Sequence, residues 1–259
     1  MISAASNFPQ PPRFTLLRST HSIPMKFIRF LPLLTIPLAF ANGADAQPKT
    51  LLTERGKVLY SDDLNTAPDG KVWRAAKGKW EVTDGVVRGA EIADEKHGAV
   101  TRHPLAFKDA VIQFEVKFDG AKGTSLSIND AKEHVARVSL SPTGFTVQKD
   151  DHDHDGPDKA AVFGRRNVKL APGEWHTVVV EFLGDTMLAS VDGANPTFGA
   201  NELIATPKAN LGFTVAGQSA SFRNLRVWEA IANKEWEKTK ATIPPAPIPP
   251  VVAKKKPAA

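Results

Sequence analysis

Between Val58 and Trp228 apolar residues recur at every second position, run after run, and nothing in that span sustains a helical period. Ile112, Phe114, Val116 and Phe118 alternate with Gln113, Glu115 and Lys117, and Val178, Val180 and Phe182 alternate with Thr177, Val179 and Glu181. Successive side chains of a strand point to opposite faces, so these runs predict strands with one face in a core. Trp80–Arg88, Ser125–Asn129, Val135–Leu140, Phe145–Asp150, Met187–Val191, Leu211–Val215 and Phe222–Trp228 read the same way. Asp84-Gly85, Asp119-Gly120, Pro142-Thr143-Gly144, Pro172-Gly173 and Asp192-Gly193 supply the turns between them. Many strands without crossover helices exclude a parallel α/β sheet and predict an all-β, antiparallel β-sandwich of the jelly-roll type. No internal repeat points to a propeller or solenoid.

The sandwich must be held by its core, because the chain has no cysteine. That excludes disulfides, thiolate metal sites, a cysteine nucleophile and lipid attachment at a signal-peptide cysteine. From Met25 a positive segment with Lys26 and Arg29 leads into the apolar stretch 31–40 and then Ala44-Asp45-Ala46, the order of a secretory signal cleaved before Gln47. The stretch is too short for a bilayer span and is interrupted by Pro32 and Pro37, so stable membrane insertion is not expected. On this reading residues 1–46 are a mis-called leader plus a signal starting at Met25, and the mature protein is periplasmic or extracellular. Residues 56–230 form the sandwich, and 231–259 form a short helix and a Pro/Lys-rich tail. Residues 47–56 and 241–259 are expected to be dispensable for folding, since they lack alternating apolar positions.

The formal net charge of +5 invites a nucleic-acid partner, but its location argues against one. Residues 47–236 carry 24 Lys+Arg against 26 Asp+Glu, and the excess positive charge lies in the leader and the tail. A domain without a basic balance gives no footprint for a phosphate backbone. Pro244 to Pro250 with Lys254-Lys255-Lys256 reads either as a stiff spacer whose basic tip touches an anionic envelope surface or as a solvated tail.

A retaining glucanase needs two carboxylates on one strand face, as in Glu-x-Asp-x-Glu. The nearest spacings are Glu115 to Asp119, with Lys117 in the middle, and Glu91 to Glu95, with Ala93 there. The two-carboxylate route is therefore not expected. No Gly-x-Ser-x-Gly elbow, Walker loop or dinucleotide fingerprint is present. The densest polar feature is Lys149 to Asp158, in which Asp151, Asp153 and Asp155 precede Gly156 at the spacing of the first half of a calcium loop. The second half is missing, since Val162 stands where a bidentate glutamate belongs. His152 and His154 open the alternative of a transition metal, and a solvated acidic loop is the bland reading of the same residues.

Just upstream, three consecutive strands should form a meander. If Val138 and Leu140 face the core, Arg137 and Ser139 face away, beside Ser127 and Asn129 on one side and Gln148 and Asp150 on the other. His134 sits near a strand end, where parity is weakly determined. A solvated outer face produces much the same pattern. Trp73 and Trp175 are the candidates for stacking on a sugar ring, although large aromatics usually belong to cores.

Lys79-Trp80-Glu81-Val82-Thr83-Asp84-Gly85-Val86-Val87-Arg88-Gly89, Gly173-Glu174-Trp175-His176 and Ala220-Ser221-Phe222-Arg223-Asn224-Leu225-Arg226-Val227 resemble the 3-keto-disaccharide hydrolase domain family, also described as 3-keto-glucoside lyase/hydratases, over roughly residues 56–230. The resemblance implies a concanavalin A-like lectin/glucanase fold and substrates that are sugars oxidised at carbon 3. A 3-keto group acidifies the proton on carbon 2, so a modest base suffices for elimination, and water then adds back. His134 or His152 is the candidate base, with Arg137 or a bound metal as the electrophile for the enolate oxygen. Asn129, Gln148, Lys149 and Trp175 are candidates for holding the saccharide, oxidised or not. Asp151, Asp153, Asp155 and His154 are candidates for a divalent cation, calcium or a transition metal. The competing expectation is a non-catalytic carbohydrate-binding or envelope-associated module.

Overall fold

The computed structural model describes residues 47–152 and 159–248. In chain order the strands are β1 (Thr53–Asp62), β2 (Arg74–Lys77), β3 (Lys79–Thr83), β4 (Val86–Ala90), β5 (Ala99–Phe107), β6 (Ala110–Phe118), β7 (Ala121–Asn129) and β8 (His134–Ser141). They continue as β9 (Gly144–Lys149), β10 (Ala161–Asn167), β11 (Trp175–Leu183), β12 (Thr186–Val191), β13 (Ala194–Ala200), β14 (Lys208–Gly217) and β15 (Ala220–Ala232), followed by helix α1 (Trp236–Lys240). Two antiparallel sheets result: β13-β12-β11-β6-β15-β4-β3, with β1 also on β15, and β10-β9-β8-β7-β14-β5-β2. This is the expected all-β jelly-roll sandwich of concanavalin A-like type.

Alternation builds the core as the sequence requires. Ile112, Phe114 and Val116 of β6 and Val178, Val180 and Phe182 of β11 are fully buried, facing Leu126, Ile128, Val138, Val147, Leu211 and Phe213 of the second sheet. Aromatic rings join the layers, with Phe213 stacked on Phe222 at 4.3 Å between centroids. The Asp-Gly pairs make tight hairpins: Asp84 and Gly85 have φ of 53° and 76°, and Asp192 and Gly193 have 52° and 68°. Trp80–Arg88, read above as one run, is the β3–β4 hairpin around the first of these pairs.

The expected boundaries are too narrow. Thr53 is completely buried, and its N–H and Oγ1 donate to Glu181 at 2.7 and 2.8 Å, while Leu51 N donates to the other Glu181 oxygen at 2.9 Å. Leu52 packs with Leu188 and Trp236 in a small cluster, against which Ile243 also lies. Further on, Arg165 N donates to Pro247 O at 2.8 Å along the edge strand β10. Residues 51–55 are thus part of the packed sandwich, and the segment after β15, though largely exposed, is tied to it through Trp236, Ile243 and Pro247.

Candidate functional site

The outer face of the second sheet is polar, and the register of its strands arranges that polarity in cross-strand rows. The first row runs Arg74 on β2, Arg102 on β5, Ser127 on β7, Arg137 on β8 and Gln148 on β9, with Gly212 of β14 between Arg102 and Ser127. Beside it lies Pro104, Asn210, Asn129 and His134. On the other side Thr214, Ser125, Ser139 and Thr146 follow one another. Side chains directly opposite in an antiparallel pair share a face, so each row is one line of neighbours.

Two adjoining hollows open on this face and share Arg102. One, of about 460 Å³, is lined by Lys77, His97, Arg102, His134, Arg137 and Thr214 among others. The second, of about 380 Å³, is lined by Lys71, Arg74, Arg102, Pro104, Asn129 and Asn210 together with Gly70 and Val72. Among the described residues no aspartate or glutamate lines either. The floor between them is low because Gly212 has no side chain: a Cβ there would meet Thr101 O at 1.9 Å and Arg102 Nη1 at 2.7 Å. The Arg102 guanidinium occupies the space that a side chain at 212 would need.

His134 is held by an amide. Its Nδ1 lies 2.7 Å from Asn129 Oδ1, and Asn129 Nδ2 donates to Asn210 Oδ1 at 2.7 Å. With the Asn129 amide turned over, its oxygen accepts from Arg102 Nε at 3.1 Å and its nitrogen donates to His134 Nδ1. The first arrangement puts the proton on Nδ1 and the basic lone pair on Nε2, and the second does the reverse. Asn129 thus lies between His134, Asn210 and Arg102, within hydrogen-bond distance of all three.

Arg137 Nη2 approaches Asp150 Oδ2 at 3.3 Å, and Gln148 donates to Asp150 Oδ1 at 2.6 Å. Buried Arg137 Nε and Ser127 Oγ make no hydrogen bond among the described residues. Burial, and after it the charge of Arg137, lowers the pKa of Arg102 from its ordinary value. His152 Nε2 lies 2.7 Å from Asp130 Oδ2, at the turn that follows Asn129. Burial pushes the Asp130 pKa up, but hydrogen bonds from Glu133 N, His152 and Lys132 N together bring it below the usual value.

The fold thus brings Asn129, His134, Arg137 and Gln148 onto one face, with Asp150 against Arg137 and Gln148, and His152 against Asp130. Three expected residues lie elsewhere. Lys149 points to the side of β9 that carries Val147 and is 2% exposed, with Nζ donating to Lys159 O at 2.8 Å. Trp175 belongs to the first sheet, where Arg223 and Lys117 lie over its ring at 4.1 and 5.2 Å. Trp73 is a core residue, stacked near Phe213 and donating from Nε1 to Asp62 at 2.9 Å. Among the expected cation ligands Asp151 forms an ion pair with Lys159 at 3.8 Å, whereas Asp153, His154 and Asp155 lie outside the described residues. No group of three or more His, Asp or Glu side chains able to hold a metal occurs among the described residues.

Arg74, Arg102 and Asn210 were not anticipated from sequence. Strand β5 hides its alternation, because the inward positions Thr101 and His103 are polar and buried while the outward line carries Val100 and Pro104 beside Arg102.

An antiparallel jelly roll with a polar groove across one sheet is the architecture of sandwich lectins and glucanases. Residues 63–228 match the 3-keto-alpha-glucoside-1,2-lyase-like domain family, and the chain belongs to that carbohydrate-active family. No curated protein matches the sequence. Among solved structures, an endo-β-galactosidase from Clostridium perfringens that releases GlcNAcα1-4Gal superposes with a TM-score of 0.55 at 11% identity, covering 72% of this chain and 66% of that one. A Bacillus subtilis protein of unknown function with a galectin-like fold gives 0.51 at 13% identity, over 70% of this chain and all of that one. SCLam, a non-specific endo-β-1,3(4)-glucanase of family GH16, gives 0.50 at 16%, over 71% and 98%. At these identities the likeness is one of fold.

Proposed function

We propose that this is an exported protein whose groove on the second sheet binds glycosides oxidised at carbon 3 and cleaves them by elimination followed by hydration. The observation that carries the reading is the meeting of His134, held by Asn129, with Arg102 and Arg137 in one groove of a 3-keto-alpha-glucoside-1,2-lyase-like domain. In the tautomer with Nδ1–H on Asn129, His134 Nε2 takes the proton from carbon 2. The electron pair moves into an enolate whose oxygen, on carbon 3, is stabilised by Arg137. The enolate then re-forms the ketone, the carbon 1–oxygen bond breaks and the leaving alkoxide takes the proton back from the imidazolium. Water adds across the resulting double bond. A positioned base supplies about 10²–10⁴-fold of rate and a charged donor to the oxyanion a similar factor.

A saccharide-binding role without turnover is the second reading. It is favoured by the lack of a carboxylate among the groove's described lining residues, which leaves acid–base work to His134 and His97. Incubation with a 3-keto-glucoside and its unoxidised parent separates the two. Elimination predicts aglycone release from the keto sugar alone, whereas the binding module predicts retention of either sugar with no release.

A further inference from the structure

Three arginines stand on one cross-strand row in a domain whose overall charge is slightly negative. Arg74 lies directly opposite Arg102, and like charges in that position repel and destabilise a sheet. Arg137 has Asp150 against it, but no carboxylate reaches Arg74 or Arg102 among the described residues. Two described acids near the row have partners of their own: Asp69 accepts from Lys71 N at 2.8 Å, and Asp130 is bonded to His152. Arg102 is half-buried and spans both hollows, and the hydroxyl of Ser127 on the floor is buried without a hydrogen-bond partner among the described residues. Even a partly desolvated guanidinium without a counter-charge costs a fold some stability. An oxyanion seated there would remove that cost, and the guanidinium fork matches a carboxylate or sulfate in a two-point contact. Asn129 and Asn210, lining the same hollow, offer amides of the kind that recognise sugar hydroxyls.

We propose that the saccharide taken by this groove is anionic, carrying a carboxylate or a sulfate ester that sits against Arg102 and Arg74 while the ring to be cleaved lies beside His134 and Arg137. The proposal rests on the saccharide reading above and adds the chemical class of its ligand. Lys71 extends the same positive wall at the mouth.

The test is calorimetric binding of one disaccharide in three forms, with a neutral unit, a uronic acid unit and a sulfate ester, alongside sodium sulfate alone, at low and moderate salt. Expected is at least tenfold tighter binding of the uronate or the sulfated form than of the neutral one, and whichever binds better identifies the source of the oxyanion. Added salt should narrow that gap, and Arg102→Met and Arg74→Met should each remove most of it, with Arg102→Lys retaining part. Thermal melts confirm that each variant is folded. Equal binding of all three sugars, lost in Asn129→Ala, would overturn the anionic class and leave the saccharide reading standing. Sodium sulfate binding as tightly as the sulfated sugar would overturn it by showing an anion hole without sugar recognition. Binding of no saccharide at all would sink the saccharide reading and this proposal together.

Discussion

At the scale of single residues, Gly212 decides whether the groove exists. A methyl group there would press on the Thr101 carbonyl at 1.9 Å, which backbone cannot easily relieve, and on the Arg102 guanidinium. Gly212→Ala should therefore destabilise the domain by about 1–3 kcal/mol in denaturant unfolding and weaken saccharide binding, because Arg102 has to move. Lys208 gives a pH signature of a different kind. It is 2% exposed, its Nζ donates to Lys108 O at 2.6 Å, and burial lowers its pKa to about 8 from 10.5. Between those values the unfolded chain holds a proton that the folded chain lacks, so the stability contributed by Lys208 rises with pH across the window from about 8 to 10.5. Comparison of unfolding curves for the natural protein and Lys208→Met should show the natural protein gaining on the variant over that range, and a constant difference would contradict the assignment. At this scale the sequence was readable where alternation was clean: the opposition of Arg137, Ser127 and Gln148 follows from Val138 and Leu140 facing inward. Arg102 was not readable, because its strand buries a threonine and a histidine where an apolar line would have revealed the parity.

At the scale of elements, the ends of the chain behave as structure. Glu181 sits with no exposed surface on the outer side of β11 and accepts from Leu51 N, Thr53 N and Thr53 Oγ1. Burial raises its pKa while those donors oppose the shift. Glu181→Ala would leave buried donors without acceptors and should cost about 2–4 kcal/mol, read by chemical denaturation. Removing residues 47–56 should cost at least as much, since β1 loses its start, and a truncated domain with an unchanged melting temperature would show that this latch contributes little. These segments escaped sequence reading because their order comes from long-range partners, Glu181 and Leu188, not from a local period. The acidic loop after β9 carries its own prediction. If Asp151, Asp153 and Asp155 hold a cation, calcium or manganese at a hundredfold excess over Kd stabilises the protein by about 2.7 kcal/mol relative to chelator. Asp151→Ala/Asp153→Ala should abolish the shift, and no shift in the natural protein would make the loop a solvated turn.

For the whole molecule, the sandwich explains how one chain presents a positively lined groove on an acidic domain. The inward faces of both sheets are committed to the core, and the outer side of the first sheet is partly covered by β1 and α1. The outer face of the second sheet is where rows of Arg, Asn, His and Ser come together. Fold class was legible from period-two runs and Asp-Gly turns, whereas the site required register, since its rows combine residues from β2, β5, β14, β7 and β8. No helix among the described residues is long and apolar enough to cross a membrane. The measurement that tests the account most directly is turnover of a 3-keto-glucoside beside its unoxidised parent, by the natural protein and by His134→Ala. The account predicts aglycone release from the keto sugar only, with the rate falling at least about 10²-fold in the variant while its melting temperature stays close to that of the natural protein. Release at the same rate by folded His134→Ala, or no release while the natural protein still binds the sugar, would contradict it.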